Sequence, residues 1–183
     1  MSLHIGIEEI EKELTRKEKT LDELIVGSRS AVRFCANCIK CIHGKDMKEA
    51  KKNLEEARKL LEKVSKYGEE YYRHVDHIYQ EYVEASVLLA VTEGKDIPSF
   101  KKLGSPIVPY LNGLLDCTGE LKREMYEHLR KGEKKEAEKY FSLMEAIFHE
   151  LLHLRFSNSV LPDFRRKQDV ARIQIEQARG ELL

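Results

Sequence analysis

Apolar side chains recur along this chain at helical spacing almost from end to end. Ile7, Ile10 and Leu14 open a stripe that Leu24, Val32, Cys35 and Ile39 continue beyond a charged stretch. This predicts one long helix, or two nearly collinear ones, from Ile5 to Ile42, with Gly44 as its stop. Asp46 is placed to cap a second helix, in which Ala50, Leu54, Ala57 and Leu61 share a face and the remaining positions are almost all Lys and Glu. Gly68 separates it from a third predicted helix, Glu69 to Thr92, that ends at Gly94. Lys95 to Pro109 holds three of the four prolines and is the main irregular segment, with room for a single helical turn over Pro98 to Leu103. Further helices are predicted over Val108 to Lys131, closed by Gly132, over Lys134 to Phe156, and from Pro162 in a first turn to near Gly180. No stretch alternates with the period of two that a strand needs, and no internal repeat or low-complexity tract appears. The expectation is an all-α, single-domain bundle of six or seven helices spanning residues 1–183.

Charge and cysteine content narrow the function classes. Lys plus Arg and Asp plus Glu both number 32, so the chain is not a uniformly basic nucleic-acid binder, and any such affinity must come from a local patch. No apolar run is long enough for a membrane span, and no signal peptide is evident. Cys35, Cys38, Cys41 and Cys117 do not make a secreted-domain disulfide framework, which points to a reducing, cytoplasmic setting. The Cys35, Cys38, Cys41 spacing has the look of iron–sulfur ligation, but it lies inside a helical pattern and lacks a nearby fourth cysteine; buried, inert thiols are the simpler expectation.

Two helices carry acidic side chains where the pattern calls for apolar ones. Asp116 and Glu120 are four apart in YLNGLLDCTGELKR, so they stack on one face, with Arg123 continuing the stripe. Gly113 and Gly119 lie beside them, each costing a helix interior about 1 kcal/mol relative to alanine, which is better explained by a close approach to the backbone than by helix stability. Glu81 and Glu84 form a second pair, three apart, with His77 and His74 in the same sector one and two turns earlier. Ordinary solvated helix faces would also give such stripes. If packing brings the two helices together, four carboxylates make a hard-cation site suited to Mg²⁺ or Mn²⁺, and without a cation their mutual repulsion is costly.

The segments YQEYVEA (Tyr79 to Ala85) and YLNGLLDCTGELKRE (Tyr110 to Glu124) resemble the translin family, in particular its trax branch in an archaeal form. The similarity runs, more weakly, from about Leu21 to the C-terminus, including LPDFRRKQDVARIQIE from Leu161 to Glu176. Retention of Glu81, Glu84, Asp116 and Glu120 is what associates the chain with the catalytic branch, since translin itself differs at these positions. The resemblance implies a Mg²⁺-dependent endoribonuclease that cleaves single-stranded RNA at these four carboxylates, with single-stranded DNA as a second ligand. It also implies a homo-oligomer of eight chains, or assembly with a translin-like partner, with the terminal helices as interface elements. Arg29, Arg33, Arg73, His77 and Arg123 share faces or neighbouring turns with the acidic residues and are the candidates for phosphate contacts. Tyr72 and Asp76 depart from the His and Arg that relatives carry nearby.

Rival readings exist. His149-Glu150-Leu151-Leu152-His153 matches the HExxH pattern of zinc peptidases, with Glu176 available as a third ligand, although nothing in the chain offers a sheet to hold a peptide. Glu150 and His153 also make half of a ferritin-like dimetal motif, whose second half is missing. A helical, non-catalytic nucleic-acid-binding oligomer would use the polar stripes as contact surfaces and tolerate loss of all four carboxylates.

Overall fold

The computed structural model describes residues 5–67 and 71–182, without the side chains of residues 72–74. Seven α-helices and one 3₁₀ turn make up its regular structure, with no strand among the described residues: α1 Ile7–His43, α2 Met47–Val64, α3 Tyr72–Thr92, α4 Phe100–Leu103, α5 Ile107–Arg130, α6 Lys134–Leu151 and α7 Phe164–Leu182. The all-α expectation therefore holds. Asp46 caps α2 by accepting the Glu49 amide at 3.0 Å, and Ser99 caps α4 through the Lys102 amide at 3.3 Å. Gly104 and Gly132 take left-handed φ of 62° and 75° where α4 and α5 end.

Several boundaries differ from those predicted, and the predicted start of α3 at Glu69 lies outside the described residues. α6 stops at Leu151 rather than Phe156; Asn158 Oδ1 accepts the Asp163 amide at 3.1 Å, and Leu161 is buried, so the chain between α6 and α7 folds back as turns. α7 begins at Phe164 instead of Pro162 and runs through Gly180 to Leu182. At the end of α1 the left-handed residue is Lys45, at φ 61°, while Gly44 keeps a helical φ of −78°. A lysine there is unfavourable by about 1 kcal/mol, and the charge-assisted bond from its Nζ to Glu124, 2.8 Å, offsets that.

α1 packs against α2 and α3; α5 packs against α3, α6 and α7; α6 also meets α7. The core between them includes Leu24, Cys35 and Ile42 of α1, Val75, Ile78, Val83 and Leu88 of α3, Leu121 and Met125 of α5, Met144 of α6 and Ile175 of α7. α3 lies at the centre because it is apolar nearly all round, as a helix with neighbours on several sides must be. The first half of α1 is the opposite case. From Ile5 to Lys19 every residue is exposed, including the stripe of Ile7, Ile10 and Leu14, so this arm of the helix has an apolar face that one chain does not cover. No described helix is long and apolar enough to cross a membrane.

Gly113 sets how closely the two acidic helices meet. A Cβ built on it would lie 2.7 Å from the Gln80 carbonyl oxygen and 2.8 Å from Val83 Cβ, distances that real side chains do not adopt. The close approach expected from the glycine is thus the contact of α5 with α3, one turn ahead of Asp116 and one residue ahead of Glu81. Gly119 serves the other side of α5, where a Cβ would come within 3.2 Å of Gln174 Nε2 on α7.

Candidate functional site

Because α3 and α5 touch at Gly113, the carboxylates that follow on each helix come together. Glu81 and Glu84 on α3, and Asp116 and Glu120 on α5, are all partly exposed beside buried neighbours. Burial pushes the Glu84 carboxyl up from its ordinary 4.5 to about 8, and the charges of Glu81, Asp116 and Glu120 push it the same way. Glu81 is raised by burial, then by Asp116 and Glu120, against the opposing influence of Lys167. The four groups, drawn from two helices, thus influence one another electrostatically.

Two cations from outside those helices hold part of this set. Lys167, in the first turn of α7, places Nζ 2.5 Å and 2.6 Å from the two oxygens of Asp116. His43, in the last turn of α1, sets Nε2 2.5 Å from Glu120 Oε2 and Nδ1 2.6 Å from Glu124 Oε1. An imidazole that donates from both nitrogens is protonated, and the hydrogen bonds to Glu120 and then Glu124 raise its pKa to about 9. Glu124 is 1% exposed. Burial alone would raise its pKa, but the bonds from His43 and Lys45 outweigh that and hold it at about 2. His128 stands 4.0 Å away, bonded to Glu133 and stacked on Tyr140. Breaking a buried ion set of this kind by removing one partner is unfavourable by several kcal/mol, typically about 3–5. It fixes the Glu120 end of the site to the α1–α2 turn.

Sequence reasoning missed these partners. Glu124 carried a legible signal, since Asn112, Asp116, Glu120 and Glu124 repeat at four-residue spacing along α5. His43 and Lys167 carried none: a basic residue in a last helical turn reads as a dipole contact, and Lys167 reads as one of several surface cations. Asn112 is 2% exposed; its amide donates to the Pro162 carbonyl at 3.1 Å, and its Oδ1 has no hydrogen-bond partner among the described residues.

The predicted phosphate contacts divide. Arg29, Arg33 and His77 are exposed, and Arg123 is an exposed neighbour of Glu120, 3.9 Å from its Oε2. The side chain of Arg73 lies outside the described residues, as does that of Tyr72.

The donor chemistry fits a hard divalent cation, being four carboxylates with an orphaned amide oxygen one turn from Asp116. As the side chains stand, no group of three His, Cys, Asp or Glu among the described residues converges on one point. The reason is visible in the pairing: both Asp116 oxygens face Lys167, and Glu120 faces His43. A cation bound here would have to draw Asp116 and Glu120 away from these partners.

The zinc-peptidase and ferritin-like readings lose their geometry. α6 ends at Leu151, so His153 sits in the following turn and does not share a helix face with His149; Glu176 is paired with Arg179. Cys35, Cys38 and Cys117 are buried free thiols. Burial pushes Cys38 up to about 12 and raises Cys35 and Cys117 as well, so all three stay protonated.

Comparison with known proteins places these features in context. The sequence profile of the Translin family matches residues 4–178. The Methanocaldococcus jannaschii protein MJ0175 is 33% identical over 174 residues, covering 93% of this chain and 78% of its own length. Among solved structures, AfC3PO in complex with duplex RNA superposes with a TM-score of 0.88 at 30% identity, over 97% of this chain and 95% of that one. The crystal structure of AfC3PO gives 0.89 at 31% identity over the same shares, and apo-NeC3PO gives 0.88 at 28% identity over 100% and 98%.

Proposed function

The chain belongs to the Translin family, and on that premise we propose that it is a trax-like, Mg²⁺-dependent endoribonuclease whose ion is held by Glu81, Glu84, Asp116 and Glu120. The observation that carries this reading is the electrostatic influence of these groups on one another. Burial, and then the charges of Glu81, Asp116 and Glu120, take from Glu84 its ordinary acidity, an arrangement unfavourable for the fold and useful for a cation. Mg²⁺ or Mn²⁺ bound there supplies Lewis acidity, polarising a phosphodiester and lowering the pKa of water. A carboxylate of the set not fully taken up in holding the ion removes the proton of the attacking water. The water oxygen bonds to phosphorus as the bond to the 3′ oxygen breaks, leaving a 5′-phosphate and a 3′-hydroxyl. Arg29, Arg33, Arg73, His77 and Arg123 hold the strand through its phosphates.

RNA is the polymer this reading favours, because a related structure of 30% identity holds duplex RNA. The chain's own preference, single-stranded or duplex, and its use of single-stranded DNA are properties to measure. Assembly into a homo-oligomer, eight chains by family resemblance, or with a translin-like partner, accounts for the uncovered apolar stripe of Ile7, Ile10 and Leu14 and for exposed Val170 and Ile173 on α7. It also reconciles zero net charge with a polyanionic ligand, since a modest basic patch is repeated around the assembly.

One observation favours a second reading, a non-catalytic RNA-binding oligomer. Asp116 and Glu120 already have cationic partners in Lys167 and His43. Cleavage of end-labelled single-stranded and duplex RNA, with Mg²⁺ and with EDTA, separates the two. The nuclease reading expects Mg²⁺-dependent products with 5′-phosphates that disappear in Asp116→Asn; binding without cleavage in every lane supports the second.

A further inference from the structure

Lys167 does more than dock α7. That helix is fastened to α5 without it: Asn112 bonds to the Pro162 carbonyl at 3.1 Å, Thr118 to Gln174 at 2.8 Å and Lys122 to Gln177 at 2.6 Å. Those contacts bracket Asp116 on both sides, so the backbone of Lys167 stays in place whether or not its ammonium does. The Lys167 side chain is 16% exposed, and one ammonium serves both oxygens of Asp116. Two positive charges face the four carboxylates, His43 on Glu120 and Lys167 on Asp116, and only Lys167 holds the Asp116 oxygens. A divalent ion brings twice the charge of that ammonium and needs those same Asp116 oxygens.

We infer that Lys167 is a resident counter-ion which a divalent cation displaces from Asp116, and that its freed ammonium then binds the phosphate presented for cleavage. The inference rests on the nuclease reading above. The side chain suits the exchange: a compact charge on a flexible four-carbon stem travels several ångströms while its helix stays still, which a planar, forked guanidinium does less readily. Displacement leaves that charge beside the cation, free to meet a phosphate oxygen held there. Lys167 is then a competitor of the metal and a ligand of the substrate at once, and its loss has opposite effects on the two.

The test measures both on the full chain. Mn²⁺ binding without RNA is followed by calorimetry, and cleavage of labelled RNA by initial rates, for wild type, Lys167→Met, Lys167→Arg and Asp116→Asn. For Lys167→Met the Mn²⁺ dissociation constant is expected to fall about tenfold, the size of one modest ion pair, while kcat falls about a hundredfold, as when one charge-stabilising donor is removed. Lys167→Arg is expected to keep wild-type Mn²⁺ affinity and recover part of the rate. Unchanged or weaker Mn²⁺ binding by Lys167→Met would overturn the exchange, and wild-type cleavage would overturn the phosphate contact; either leaves the nuclease reading intact. Wild type that binds no Mn²⁺, or Asp116→Asn that cleaves normally, would overturn the nuclease reading and this one with it. If thermal unfolding shows that Lys167→Met is not folded, Lys167→Gln, uncharged but able to hydrogen-bond Asp116, is measured instead with the same expectations.

Discussion

Replacing Glu84 with glutamine is expected to remove Mg²⁺-dependent RNA cleavage, by about a thousandfold or more, and at the same time to stabilise the ion-free protein. The second effect follows from the direction of the Glu84 shift. Its folded-state pKa, about 8, lies above the ordinary 4.5. Below pH 4.5 the carboxyl is protonated in both states and carries no penalty; between 4.5 and 8 the unfolded chain releases a proton that the folded chain retains, and stability falls with each step in pH; above 8 the loss is complete. Glutamine has the shape of the protonated acid and no such penalty. At pH 8 in EDTA the variant should gain on the order of 2 kcal/mol, well under the ceiling set by the shift because side chains and water relax, or about 4–8 °C in Tm. At pH 4.5 the gain should vanish. Added Mg²⁺ should raise the Tm of wild type and leave the variant unmoved. Thermal scans at the two pH values, with and without the ion, check all three statements; a variant that is less stable than wild type at pH 8 would mean that burial and the neighbouring charges do not raise Glu84.

Gly113→Ala should show how much the site depends on the contact between its two helices. In an open helix the change gains up to about 1 kcal/mol. Here the new Cβ meets the Gln80 carbonyl at 2.7 Å, and that oxygen belongs to backbone that cannot turn aside. α3 and α5 must separate, and overpacking of this kind is unfavourable by about 1–3 kcal/mol. Gly27→Ala in α1, where a Cβ would meet nothing within 4 Å, is the control and should be neutral or stabilising. Urea unfolding of the three proteins measures the difference. Separation of the helices should also lower cleavage, because carboxylates on α3 and α5 would no longer face each other. Equal stability of Gly113→Ala and wild type would contradict the close packing.

The helices were legible because their apolar positions repeat at 3.6 residues, and the cap at Asp46 marks a start that local chemistry dictates. The acidic pairs stood out for the converse reason: Glu81, Glu84, Asp116 and Glu120 interrupt apolar faces, and Gly113 beside them made sense only if another backbone came near. What pattern reading misses is what tertiary packing decides. Nothing near Leu151 breaks a helix, since Leu152, Leu154 and Phe156 carry the apolar pattern onward, so the end of α6 was placed too late. His43 and Lys167 sit at helix ends far along the chain from the residues they pair with, and only the arrangement of α1 and α7 around α5 brings them to Glu120 and Asp116. Lys45 takes the left-handed turn that the neighbouring glycine seemed made for, because its ammonium has a buried carboxylate to reach.

All of this turns on one divalent ion being held by oxygens from α3 and α5 together. Anomalous diffraction from crystals grown with saturating Mn²⁺ tests that most directly. The expected result is a strong peak bounded by Glu81 and Glu84 on one side and Asp116 and Glu120 on the other, with the Lys167 ammonium moved off Asp116. A fully occupied peak elsewhere, or none with Lys167 still on both Asp116 oxygens, would contradict it.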